Sequence, residues 1–295
     1  MADNVTIDLN GFDISGSRVQ VGITVRDFDH FKLRGRGGVI RNFLNAVLLY
    51  DSNNSLVEGV VFYNNDLNIY IQANYQSVNY SFINNNDFLF DRFTSVSISN
   101  SNRRFDTEVT GIIVWNNEFY FSGRGIELCR AKDSLIMENL VWGSETDGIQ
   151  VRKSKFIDVY NNHVYDFEGR GITLDLTSYS EVKGNKVEYG DIGIQVDEAT
   201  RFVSDACGGD SSIETNALNN ISDNSLFNND TGIVLGKDWT PNRTTANFNL
   251  IERNKIYNSR LGILFNLNTK QNVATNNAFQ GTTTRVEDHG VRNRY

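Results

Sequence analysis

Gly125-Ile-Glu-Leu, Gly148-Ile-Gln-Val, Gly171-Ile-Thr-Leu and Gly193-Ile-Gln-Val recur at intervals of 23, 23 and 22 residues. Fourteen residues after each of the first three glycines stands an asparagine: Asn139, Asn162, Asn185. A fixed short period carrying one strand-like word and one Asn per copy is the signature of a stacked repeat protein. Further copies precede these at Gly22-Ile-Thr-Val, Ala46-Val-Leu-Leu, Asn68-Ile-Tyr-Ile and Ser95-Val-Ser-Ile, and follow them at Gly232-Ile-Val-Leu and Gly262-Ile-Leu-Phe. The Asn position recurs as Asn86, Asn117, Asn224, Asn254 and Asn277. Ahead of the first full copy, residues 5–16 alternate apolar and polar side chains and read as an opening strand and turn.

Each unit holds three short strands and no run long enough for a helix. Strands repeating at this spacing stack in parallel on the equivalent strand of the next unit, about 4.8 Å away. The expected fold is all-β: a single-stranded right-handed parallel β-helix of about ten coils, the hand following from that of parallel crossovers. One domain, 1–295, is expected, with regular coils over about 5–280 and an irregular tail over 281–295. In each Gly-Ile word the Ile and the second apolar residue point inward, as Ile126 and Leu128 or Ile172 and Leu174. The Asn column reads as a ladder satisfying polar groups at a buried corner.

Composition narrows the function classes. A hydrophobic content of 39% and a mean hydropathy of −0.38 fit a chain with a long thin core. No apolar run approaches the roughly 20 residues that span a bilayer. The start, Met1-Ala-Asp-Asn, shows no signal-peptide pattern. A net charge of −8 argues against nucleic acid as partner. Cys129 and Cys207 form no framework and no metal-ligand spacing; they read as two isolated thiols, with a disulfide tying the Cys207 loop to the body as the alternative. His30, His163 and His289 are scattered, and with two Met they make no copper or zinc constellation.

The Gly-Ile words, the Asn corners and the opening Val5-Thr-Ile-Asp-Leu-Asn-Gly11 resemble the right-handed parallel β-helix repeat proteins. That superfamily includes pectate and alginate lyases, polygalacturonase-like hydrolases, mannuronan epimerases, phage tailspikes and copper-maturation proteins of the NosD type. The resemblance covers about residues 5–280 and implies the fold. It assigns no activity: the Asp-Pro-His motif of the epimerases is absent, Asp27-Phe-Asp-His30 is no substitute, and the Asn-Thr-Asp and Gly-His-Gly words of polygalacturonases are missing.

Loop lengths locate a site. From each Asn to the next Gly-Ile word the spacing stays at 8 or 9 residues, whereas from word to Asn it grows from 14 to 18 (68–86), 22 (95–117), 31 (193–224) and 22 (232–254). All extra chain therefore leaves one corner, just after the Gly-Ile strand, and long connections on one side of a rigid scaffold carry function. Low coils starting at 125, 148 and 171 lie between taller loops at about 99–109, 198–213 and 237–247, a saddle suited to an extended polysaccharide. Alternation places Glu127, Gln150, Thr173 and Gln195 in one outward column on its floor, expected to face solvent, and Cys129, Arg152, Asp175 and Asp197 in the next, with Arg130, Lys153 and Glu198 just beyond.

Asp175 and Asp197 sit on neighbouring coils about 5 Å apart, and Glu127 lies two coils from Asp175, about 10 Å away. Such carboxyl pairs suit glycoside hydrolysis. The same residues suit a second chemistry: Asp175, Asp197 and Glu198 as oxygen ligands to Ca²⁺, with Arg152 or Lys153 as the base in uronate β-elimination. The bland alternative is a charge ladder in which Arg152 and Lys153 pair with Asp175. Gln150, Thr173, Gln195, Arg130, Trp239 and Tyr70 are the candidate substrate contacts, Trp239 by stacking on a sugar ring, and Tyr50 would extend the groove. Arg124 and Arg170, in the matched Gly-Arg-Gly-Ile words, read as turn caps, with carboxylate binding as the alternative. The expected protein is thus a polysaccharide hydrolase or lyase at the cell or virion surface or outside it; a non-catalytic glycan-binding or structural rod is the alternative. Exposed strand ends call for caps, from homo-oligomer contacts or from the tail.

Overall fold

The computed structural model describes residues 4–100, 107–197, 207, 216–236 and 246–295. They form a right-handed parallel β-helix. Three long sheets run its length, two of eleven strands and one of thirteen, with a three-stranded sheet beside them. Every strand pair is parallel, each strand stacking on its equivalent one coil further on. The Gly-Ile sheet runs in order from Val21–Arg26 through Arg124–Cys129, Asp147–Arg152, Arg170–Asp175 and Ile192–Asp197 to Thr284–Asp288.

Two boundaries differ from the sequence expectation. The opening segment is two strands, Thr6–Asp8 and Ile14–Ser15, because Gly11 takes the left-handed φ of +82° between them. At the other end the coils continue through Thr284–Asp288, which pairs with Leu261–Phe265. There are therefore eleven coils. The remaining tail folds back, Val291 bridging to Lys270, Arg294 to Val273, and the Tyr295 ring lying 6.4 Å from Phe265.

Why each word begins with Gly follows from coil-to-coil contact. A Cβ on Gly125, Gly148 or Gly171 would stand 2.7–2.8 Å from the carbonyl oxygen of the equivalent glycine on the next coil. Ile126, Leu128, Ile149, Val151, Ile172, Leu174, Ile194 and Val196 are fully buried, as the alternation requires. Phe62, Phe88 and Phe119 stack down the core with ring centroids 5.0 and 4.6 Å apart.

The asparagine ladder is continuous. Asn86, Asn117, Asn139, Asn162, Asn185, Asn224 and Asn254 each donate from Nδ2 to Oδ1 of the next, at 2.9–3.0 Å, ending on Asn277. A second ladder, Asn219–Asn249–Asn272–Asn293, was not expected. Its Asn residues are also roughly a coil apart, but it covers only the last coils, too few to stand out as a period.

Candidate functional site

The register brings the floor columns together as the alternation requires. Glu127, Gln150, Thr173 and Gln195 stack in one row, and Cys129, Arg152, Asp175 and Asp197 in the next. They point away from the apolar core, yet they do not face open solvent, which corrects the sequence expectation. Their exposures run from 1% for Thr173 to 8% for Gln195. Part of the cover is a crosslink: Cys129 and Cys207 form a disulfide, so the isolated-thiol reading is replaced by its alternative. Cys207 is thereby held at the coil of Cys129, three coils before the strand that ends in Asp197.

A third outward row, two residues ahead of each Ile, was missed. It contains Arg124, Asp147 and Arg170, and Asp147 is only 1% exposed. Arg170 grips it with two bonds, Nε to Oδ1 at 2.7 Å and Nη2 to Oδ2 at 3.3 Å. Arg124 approaches from the preceding coil at 3.7 Å. The two arginines are therefore clamps on a buried carboxylate, one of the chain's own, so the turn-cap reading gives way to its carboxylate-binding alternative. Alternation could not have found this row: the residue before each Gly of the three regular words reads Arg, Asp, Arg and has the parity of the inward Ile, and it is the contacts of Arg124 with Glu127 and of Asp147 with Thr173 that place it on the floor side.

These side chains close into a ring. Arg124 meets Glu127 at 3.4 Å, Glu127 meets Arg152 at 3.6 Å, and Arg152 meets Asp175 at 3.3 Å. Asp197 lies in register beside Asp175 and accepts from Gln195 Nε2 at 3.0 Å. Arg170 reaches Gln195 at 3.5 Å and Asp147 on its other side, completing the circuit. Gln150 and Thr173 fill the middle, Thr173 Oγ1 lying 3.4 Å from Asp147 Oδ1. The Arg152–Asp175 pair of the charge-ladder reading exists, but buried and inside a network rather than on a surface.

Burial dominates the electrostatics of this ring. Desolvation lifts the Asp175 carboxyl to about 7, against the pull of Arg152 and with the push of Asp197. Asp175 Oδ1 and Gln150 Oε1 are buried and have no hydrogen-bond partner in the protein. The ring is more open along the Arg124 and Arg170 edge, where the side chains are 20% and 33% exposed, than along the Cys129 edge. Tyr70 stands two coils away in the Glu127 row; its ring packs edge-on against Tyr50 and its hydroxyl is 3.0 Å from Ser99 Oγ. Arg130 and Lys153 lie just past the floor, both with left-handed φ. Glu198 and Trp239 lie outside the described residues, as does much of the expected saddle wall.

Among the described residues the soft donors are not gathered at one place. Both cysteine sulfurs are in the disulfide, and His163 and His289 each pair with a glutamate, Glu188 and Glu287. Among the described residues no group of three or more His, Cys, Asp or Glu is placed to hold a metal ion. No helix among them is long and apolar enough to cross a membrane.

Comparison with known proteins agrees with the architecture. The chain is a parallel β-helix repeat protein, similar in fold to carbohydrate-active enzymes and to an adhesin. The profile of the family described as periplasmic copper-binding protein (NosD) matches residues 74–218, just under half the chain. Among curated proteins none matches by sequence. Among solved structures, DFA-IIIase from Arthrobacter chlorophenolicus A6, without its lid and in complex with GF2, superposes with a TM-score of 0.55 at 14% identity, over 82% of this chain and 65% of that one. The chain thus spans just under two thirds of that structure. The catalytic unit of a thermostable GH87 α-1,3-glucanase from Streptomyces thermodiastaticus gives 0.62 at 12% identity, over 96% and 60%. PfbA, a surface adhesin of Streptococcus pneumoniae, gives 0.54 at 14%, over 96% and 70%.

Proposed function

We propose that this single-domain β-helix is a glycoside hydrolase acting on an extended polysaccharide, with Asp175 as general acid and Asp197 as its partner carboxylate. The observation that carries the reading is a buried carboxyl held near neutral, with a second carboxyl in register one coil away. Arg152 engages Asp175 Oδ2, which leaves Oδ1 to carry the proton toward a glycosidic oxygen. As that C–O bond breaks, Asp197 attacks the anomeric carbon and forms a glycosyl ester. Asp175, now ionised, takes a proton from the water that cleaves the ester, restoring both groups. Coil spacing of about 4.8 Å matches the close carboxyl separation of retaining enzymes. Glu127 and Arg152 balance the charge of the pair; Thr173, Gln195, Arg130, Lys153 and Tyr70 line the sugar path.

Likeness to a glucanase and to DFA-IIIase supports the substrate class. A disulfide, the periplasmic family profile and the adhesin likeness support a location outside the cytosol. Ca²⁺-assisted β-elimination is less well supported, because Arg152 is spent on two carboxylates and Asp197 Oδ2 on Gln195. The adhesin likeness favours one second reading, glycan binding without turnover.

The test is product release from neutral and uronate polysaccharides, with and without chelator, for wild type and Asp175→Asn/Asp197→Asn. Reducing ends of retained configuration, absent in the variant, support the hydrolase. Unsaturated uronate ends that vanish with chelator support the lyase instead. Binding with equal inertness of both proteins supports the adhesive reading.

A further inference from the structure

We propose that a different sheet from that of the ring carries a second glycan site, an aromatic platform on which an extended polysaccharide lies along the axis of the rod. It needs no turnover at the ring. In the strands Val61–Tyr63, Asp87–Leu89, Glu118–Tyr120, Leu140–Trp142 and His163–Tyr165 the middle residue is fully buried, so its neighbours face outward. One outward row reads Tyr63, Leu89, Tyr120, Trp142 and Tyr165 in register. Phe90 and Phe121 stand one residue further on, at the turn. Ring centroids 5.8, 5.5, 4.8 and 5.4 Å apart join Tyr63, Phe90, Phe121, Trp142 and Tyr165 into one line over consecutive coils.

Stability does not account for these rings. Phe90 and Phe121 take left-handed φ of 59° and 55°, where the equivalent turn residue is Asn64 one coil before and Gly143 one coil after, yet they are 51% and 43% exposed. A contiguous exposed line of this kind marks a docking face, and charge and spacing say what docks. The outward positions of these coils carry Asp87, Glu118 and Asp166 and no Lys or Arg, which disfavours anionic membranes and nucleic acid. Glu118 accepts from the Tyr120 hydroxyl, and Asp166 Oδ2 from Trp142 Nε1 at 3.0 Å. Those bonds fix the rings, while each carboxylate keeps further acceptor capacity for sugar hydroxyls. The line is not one closed stack: Tyr63 is turned 74° from Phe90 and Tyr120 77° from Trp142, and in a perpendicular pair the ring that offers its edge keeps its faces for the C–H side of a sugar. Rings recur with the coil, about 4.8 Å, close to the advance of one sugar residue in an extended chain. A globular partner has no such period.

The experiment is affinity electrophoresis of the full oxidised chain through gels holding soluble β-glucan, inulin, galactomannan or alginate. Wild type should be retarded by at least one of them. Phe90→Ala/Phe121→Ala, at exposed positions, should weaken that binding about tenfold, Trp142→Ala should do the same, and Trp142→Tyr should keep most of it. Circular dichroism checks folding; if Trp142→Ala unfolds, the exposed pair decides alone. A folded Phe90→Ala/Phe121→Ala that binds unchanged, or a wild type retarded by none of the four, overturns the platform. A wild-type dimer in sedimentation that the same variant disperses gives the face to a second copy and overturns it too. Product release is scored separately: its absence from wild type sinks the hydrolase reading and leaves the platform standing.

Discussion

Asn162→Ala is the sharpest test of what holds the coils together. The Asn162 side chain accepts from Asn139 N at 3.0 Å and Asn139 Nδ2 at 2.9 Å, and donates to Ile136 O and Asn185 Oδ1, both at 3.0 Å. Truncation takes the partner from Asn139 N and Ile136 O, while Asn139 Nδ2 keeps Val114 O and Asn185 Oδ1 keeps the backbone N of residue 162, in a corner where Asn162 itself is 1% exposed. At about 1 to 3 kcal/mol for each buried orphan, with the weakened bonds of the other two groups added, the loss is about 3 to 5 kcal/mol. The internal control is Asn277, the last rung, which accepts from Asn254 and donates to Ile251 O but is only partly buried. Water can reach the groups it leaves, so Asn277→Ala should cost roughly 1 to 2 kcal/mol. Urea unfolding followed by circular dichroism measures both, read from midpoints at constant slope. Equal losses for the two variants, or less than about 1 kcal/mol for Asn162→Ala, would refute the idea that the ladder's interior rungs are held by their burial.

Three further outcomes follow from the same geometry. The disulfide closes a separation of 78 residues, so Cys129→Ser/Cys207→Ser should lose about 4 kcal/mol by loop entropy, and wild type in reductant should fall to the same urea midpoint. Asp175 and Asp91 are both lifted by burial from 3.8 to about 7; between those values the folded chain keeps protons the unfolded chain has released, so stability falls as pH rises. Asp175→Asn should therefore be the more stable protein above pH 7 by up to roughly 4 kcal/mol, the advantage vanishing near pH 4, as thermal melts across that range would reveal. Gly171→Ala would put a methyl 2.3 Å from Val187 Cγ1 and 2.7 Å from Gly193 O, and an overpacking loss of about 1 to 3 kcal/mol should appear in Tm, since the second neighbour is backbone and cannot rotate away.

The fold was legible because its determinants are local and periodic. Gly at a coil-to-coil contact, Ile and Leu two apart, and Asn at one corner each repeat with the coil, so eight copies of the Asn predict the ladder that Asn86 to Asn277 form. The site was half legible. Alternation put Glu127, Arg152, Asp175 and Asp197 on one face, and the register confirms it. It did not reveal their burial, since exposure depends on what lies over a face, and Cys207 comes to Cys129 from 78 positions away with no period to announce it. Asp147 was lost for a different reason: it precedes the Gly, where turn and strand meet, and its parity is that of the inward Ile149, so alternation assigns it to the core while its contacts with Arg170 and Thr173 put it on the floor side.

The thermodynamics of that ring argues for function over architecture. Burying charges costs several kcal/mol per ion, and a network of this kind seldom stabilises more than apolar side chains of the same size would. This fold has such a replacement at hand: in the same row, one and two coils on from Gln195, stand Val234 and Leu264, and the sheet continues unbroken. Coils 125 to 193 therefore carry Glu127, Gln150, Thr173 and Gln195 where stacking alone would accept valine or leucine. Replacing Gln150 and Thr173 together by Val should accordingly leave the β-helix intact and as stable as wild type, with glycan binding at the ring lost. A variant that unfolds would instead show that the polar ring is part of what holds these coils in register.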